Sequence, residues 1–324
     1  MRQAVDEDEA DSPVREPRSD PEEIAGPTPS AGTGVSLPRA AALTDALLEP
    51  VGCAVTSSDF RDLRGLLLRE LPRLADELPP NQQLEIGAYE LAVARDHPEL
   101  CATRREAFSP SPVRCRRAIG VAAVERCVRG RASAPYKAVS EVLASGVEDL
   151  AVVTSEHGGA RPPWWAEWYA ALPLGGKVLV QAEAVTWATQ LWTALDWCRF
   201  VRPPVIGGRD DWWDCPGSGR LVVRGRAEVR AWAGTRPAVL VVATGFPGPC
   251  WRAELAHRAL VIALARGERS MPARVVGLWP ASGLVRICEV DVAALSEAAA
   301  ALVSAVGRWV EALVASSQVD PVPS

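Results

Sequence analysis

Gly225-Arg226-Ala227-Glu228-Val229, followed by Val239-Leu240-Val241-Val242-Ala243-Thr244-Gly245, is the stretch on which the reading of this chain turns. The first piece carries one carboxylate in a short strand. The second is an apolar run of strand length that ends in Thr-Gly, a turn signal. An amphipathic helix is predicted from Trp251 to Gly267, then a strand at Arg274-Val275-Val276-Gly277-Leu278-Trp279. Working outward, Val205-Ile206-Gly207-Gly208 opens a strand, Pro216-Gly217-Ser218-Gly219 is a turn, and Leu221 to Trp232 reads as one strand. Downstream come a turn at Pro280-Ala281-Ser282-Gly283, a strand over 284–290 and a long Ala/Val/Leu helix from Val292 to Ala315. Strand, strand, helix, strand, strand, helix, with helices before it, predicts an α/β fold: a mixed central sheet flanked by helices, with a helical N-terminal portion.

Residues 1–36 are rich in Asp, Glu, Pro, Ser and Gly, a composition that cannot offset the entropy of ordering, and they read as a disordered acidic tail. Residues 37–200 read as a helical region. Phe60, Leu63, Leu66, Leu67, Leu71 and Leu74 recur at spacings of three and four. A second helix is predicted from Pro79 or Pro80 to Arg95. A third starts with Ser111 as N-cap and Pro112 in its first turn and runs to about Val128. A fourth, from Pro135, is expected to stop at Gly146. The stretch from Pro162 to Phe200, with tryptophans at 164, 165, 168, 187, 192 and 197, reads as two helices separated by Pro173-Leu174-Gly175-Gly176, with Trp164 and Trp165 in a loop after Arg161-Pro162-Pro163. Interleaved with Leu, Ala and Val, the tryptophans read as core more readily than as base-stacking platforms, with Trp164 and Trp165 the candidates for exposure.

The apolar fraction is 48% and no uninterrupted apolar run reaches the length of a membrane span, so a cytoplasmic protein without a membrane partner is expected. The eight cysteines include no Cys-x-x-Cys pair, which argues against a zinc ribbon, an iron–sulfur cluster or a disulfide scaffold. Net charge is −5, much of it before residue 25, so the folded part is nearer neutral. Lys137 and Lys177 are the only lysines, which leaves two candidates for any reaction that needs one.

In this order the elements resemble the metal-binding core of the RecB-like branch of the PD-(D/E)XK nucleases. The resemblance runs over roughly 108–315, most tightly 221–290, and implies a restriction-endonuclease-like core at 201–318. In that family the first-strand acid follows Gly-Arg-x, the place of Glu228. The next strand carries acidic-x-Lys before Thr-Gly, and those positions hold Val241 and Ala243. Neither can ligate a metal or move a proton. The following helix, which usually offers Gln and then Tyr four residues on, has Glu254 and Arg258 with His257 between. Of the family's Gly-x-x-x-His step the chain keeps Gly120, with Val124 in place of the histidine, and Cys115-Arg116-Arg117 is similar to its opening Cys-x-Arg. Cysteines matching the cluster-bearing relatives are missing at the C-terminal end, so no iron–sulfur cluster is expected.

The resemblance therefore implies a nuclease-fold protein without catalysis, a DNA-binding or accessory module in DNA processing, repair or defence, with DNA and other DNA-processing proteins as partners. Arg114, Arg116, Arg117, Arg226, Arg258, Thr244 and Gly245 are its candidate DNA contacts. The alternative is an active nuclease in which Glu254 joins Glu228 around Mg²⁺ and His257 or an arginine replaces the lysine, although an arginine with a pKa above about 12 is a poor proton carrier. A third reading is a protein-interaction scaffold without DNA affinity. The plain role for Glu228 is a strand-end carboxylate paired with Arg226 or Arg230. Gly207-Gly208-Arg209-Asp210-Asp211-Trp212-Trp213-Asp214 is expected to be a turn anchored by tryptophan rather than an ion site.

Overall fold

A computed structural model describes residues 40–319, apart from 51, 53, 103–111, 155–161, 208, 209, 244, 245 and 281. The acidic tail, the Ser111 cap, Thr244 and Gly245 lie outside the described residues. The chain begins with helices α1 (Ala40–Leu48) and α2 (Ser57–Asp76). Thr56 starts α2 with a capping box. Its Oγ1 accepts from the Asp59 N–H at 3.2 Å, and its own N–H donates to Asp59 Oδ2 at 2.9 Å. Phe60, Leu67 and Leu71 are buried, as their spacing requires.

The predicted second helix is instead strand β1 (Leu84–Ile86) followed by α3 (Ala88–Asp96). Pro79-Pro80 and Asn81, which takes a φ of 65°, break the chain before it, and Leu84 and Ile86 alternate into the core. Helix α4 (Pro112–Val128) follows the expectation, but α5 (Pro135–Thr154) runs straight through Gly146. Gly146 is there for packing: a methyl group at its Cα would overlap Trp165 Cη2. Gly146→Ala gains about 1 kcal/mol of helix propensity against about 1–3 kcal/mol of overpacking on a rigid ring. The expected result is a net loss in a urea melt, and a more stable variant would contradict this packing. Trp165 is accordingly buried while Trp164 is exposed, so one of the two expected exposures is corrected.

Helices α6 (Ala166–Ala171) and α7 (Leu174–Ala194) complete the N-terminal half, and α4 packs along α7 with Gly120 against the Trp187 ring. The strands follow: β2 (Val205–Ile206), β3 (Asp211–Asp214), β4 (Leu221–Gly225), β5 (Val229–Ala233) and β6 (Arg236–Val242). Then come α8 (Trp251–Arg266), β7 (Arg274–Trp279), β8 (Leu284–Glu289) and α9 (Val292–Val319). The fold is mixed α/β, as read, but the described strands form two sheets rather than one. A three-stranded sheet runs β1-β4-β3 and a five-stranded sheet runs β2-β5-β6-β7-β8. In the larger sheet β6 and β7 are parallel, joined by the α8 crossover, and the other neighbours are antiparallel. The segment read as one strand, Leu221 to Trp232, changes sheet between Gly225 and Val229.

Strand β6 shows why its sequence is apolar throughout. Val239 and Val241 face the core formed with α2, α8 and α9, while Ala238, Leu240 and Val242 face the core formed with α1, α4 and α7. A strand covered on both sides leaves no position for alternation. Helix α9 is long and apolar enough, over Val292–Ser317, to span a membrane by length and composition. Its Leu295, Leu302, Val306 and Trp309 are buried in the first of these cores, against α2, α3 and α8.

Candidate functional site

Glu228 stands where the chain crosses from one sheet to the other. Two backbone bonds pin it there: its N–H donates to Leu240 O at 2.9 Å and its O accepts from Gly207 N–H at 2.9 Å. The residue is 1% exposed. Oε1 accepts from Arg117 of α4, through Nε at 2.8 Å and through Nη2, and Arg226 Nε lies 3.4 Å away. Oε2 accepts from the Val242 N–H at 2.7 Å. The pairing with Arg226 was foreseen, the main partner Arg117 was not, and Arg230 goes elsewhere. Arg117 is 111 residues from Glu228 in sequence, and no local pattern links them.

Arg258 on α8 connects this carboxylate to the next one. Its Nη1 donates to the backbone O of Glu254 at 2.6 Å, while its Nε is buried with no partner among the described residues. Burial is the main force lowering its pKa. Glu228 opposes that, Arg117 adds to it, and Glu254 opposes it more weakly. Glu254 Oε1 is held by Arg95 Nη1 at 2.9 Å, and Arg95 also grips Asp96. Arg226 has a looser second partner in Asp210, at 3.8 Å. Glu228, Glu254, Arg117, Arg226 and Arg258, which the sequence offers only as separate candidates, are thus brought into one network, joined by Arg95, which the sequence does not single out.

His257 belongs to a different environment. It is wholly buried, and its Nε2 lies 3.3 Å from Arg224 O on β4. A carbonyl can only accept, so Nε2 carries the proton and Nδ1 is left bare, without a partner among the described residues. Burial pushes its pKa down to about 3, with Arg258 adding and the bond to Arg224 opposing. The folded chain refuses a proton that the unfolded chain takes up below about 6.5. Stability from this group is therefore complete above that value and is lost as pH falls towards 3, at up to about 1.4 kcal/mol per pH unit. His257→Gln removes that dependence. The gap between wild-type and variant unfolding free energies should narrow on acidification across this window, and a constant gap would contradict the assignment.

The α4 arginines are also engaged. Arg116 pairs with Glu183 of α7 at 3.4 Å, and Arg114 is not free either. Where a turn over Gly207–Asp214 is expected, Asp211–Asp214 form strand β3, in which Trp213 is buried and Trp212 exposed. Buried Asp211 takes Arg230 of β5 and Arg266 of α8, a cross-sheet staple that Asp-Trp-Trp-Asp, having no polar–apolar alternation, does not signal.

Magnesium is usually held through one or two carboxylates, with water completing its shell. Glu228 has hydrogen-bond donors on both oxygens, the Val241 side chain is buried in the core and that of Ala243 has no ligating atom. No group of three or more His, Cys, Asp or Glu side chains among the described residues is arranged to hold a metal ion. Comparison with protein-family models, curated proteins and solved structures gave no match.

Proposed function

We propose that the chain is a non-catalytic module on a restriction-nuclease-like scaffold, acting as a DNA-contacting or accessory subunit in DNA processing. One observation carries the non-catalytic part: both oxygens of Glu228 are already taken, by Arg117 and by the Val242 amide. The position that the resemblance gives to a metal ligand serves here as the counter-ion of an arginine cluster. The order of β5, β6, α8 and β7, with parallel β6 and β7 side by side, supports the scaffold reading. Arg226 and Arg117, both partly exposed, are guanidinium groups of this site that reach solvent and could meet phosphate.

A second reading, a protein-binding scaffold without DNA affinity, is favoured by the internal pairing of Arg116 and Arg117. Fluorescence anisotropy with labelled single- and double-stranded DNA separates the two. A DNA module should bind with an affinity that falls steeply with salt, as phosphate neutralisation releases counterions, and Arg226→Glu should weaken it. No binding at low salt would leave the scaffold.

A further inference from the structure

We infer that the outer face and free edge of the three-stranded sheet form a docking site for an extended, basic segment of a partner protein. This surface is separate from the Glu228 network and does not depend on its reading. Among the described residues, strand β3 has a strand partner on one side only, β4. The Cys215 N–H bonds to Leu221 O at 2.9 Å, just beyond the β3–β4 register. By the alternation of an antiparallel ladder, Trp213 and Asp211 bond inward to β4. Trp212 and Asp214 therefore turn their backbone N–H and C=O groups to the free edge. The same two residues present their side chains on the exposed face.

That face is built to hold cations. Across the register, Trp212 stands opposite Arg224, and Val222 lies between Asp214 and Glu85. The chain's own Arg224 shows the mode of recognition: its guanidinium lies 5.7 Å from the Trp212 ring centroid and is held by Glu85 at 2.9 Å. Asp214, at the next position along the edge, is exposed and has no ion pair among the described residues. A groove of about 440 Å³ opens here, lined by Gln83, Glu85, Trp212, Asp214 and Val222. Trp212 is 48% exposed at its wall. Two carboxylates against one arginine, itself already paired, repel phosphate and favour a Lys or Arg side chain. A strand added beside β3 would place alternate side chains next to Trp212 and Asp214, pairing its backbone with the free edge.

The test is selection of a phage-displayed random decapeptide library on the full chain, then anisotropy of the enriched peptides. Enriched peptides should carry a basic residue within a β-branched or aromatic run. Asp214→Lys, an exposed change that leaves the fold intact by circular dichroism, should weaken them by about tenfold or more. Trp212→Thr, which keeps strand propensity, should weaken them as well. A peptide with Glu in place of its basic residue should bind Asp214→Lys better than wild type. Absence of enrichment, enrichment of peptides without a basic residue, or affinity unchanged by Asp214→Lys would overturn the proposal. A concentration-dependent dimer abolished by Asp214→Lys would assign the edge to a second copy and overturn it too.

Discussion

Glu228→Gln should lower the unfolding free energy by about 3–5 kcal/mol, the range for breaking a buried ion pair by removing one partner. The substitution changes shape very little, so the loss comes from charge and hydrogen bonding. An amide offers one accepting oxygen and one NH₂, whereas the carboxylate accepts on both sides, from Arg117 and from the Val242 N–H. Whichever way the amide turns, a donor faces a donor. Arg117, Arg226 and Arg258 would also be left around a neutral group. Glu228→Leu combined with Arg117→Met should recover part of the loss, because replacing both partners by apolar groups is far less costly than orphaning one. Urea melts with linear extrapolation measure both. A stabilised Glu228→Gln protein would be the behaviour of a carboxylate kept in strain for a metal, and would contradict the counter-ion role.

Asp211→Asn should cost a similar amount, about 3–5 kcal/mol, for a different structural reason. Asp211 lies on β3 of the smaller sheet, Arg230 on β5 of the larger one and Arg266 at the end of α8. The carboxylate is buried and Arg230 nearly so, and the Arg230 Nε already lacks a partner among the described residues. Without the charge, a buried guanidinium has nothing to balance it. The two arginines should behave unequally. The Arg266 side chain is 49% exposed, so Arg266→Ala should cost only about 0–1 kcal/mol, as exposed pairs do. Equal losses for Asp211→Asn and Arg266→Ala would show that the buried Arg230 is not what makes this staple strong.

The elements that the sequence made legible are those with a strong local signal. Helix α2 has its three-and-four spacing, and α8 and α9 have long apolar faces. Strand β6 stands out because burial on both sides leaves an unbroken apolar run. What stayed hidden depended on distant partners. Nothing near Gly146 announces that Trp165 will lie against its Cα, so a glycine that reads as a helix stop is a packing site. Leu221 to Trp232 reads as one strand because β4 and β5 share the same alternation. The change of sheet is visible only once Gly225 is seen to lie close to Val261, where a Cβ would come within 3.0 Å. The candidate site was legible as a set of charges, since Glu228, Glu254, Arg226 and Arg258 do converge. Its chemistry was not, because the dominant partner, Arg117, arrives from α4. His257 lies on the same helix as Arg258, yet it is buried against β4 and bonds Arg224.

The most direct test of the non-catalytic account is a DNA-cleavage time course. Purified wild type and Glu228→Gln would be incubated with labelled single- and double-stranded DNA in Mg²⁺, in Mn²⁺ and in EDTA. The account predicts intact DNA in every lane, with no difference between metal and EDTA. Metal-dependent cleavage by the wild type that disappears in a folded Glu228→Gln protein would mean that the carboxylate leaves its arginines to hold a metal, and the account would be wrong.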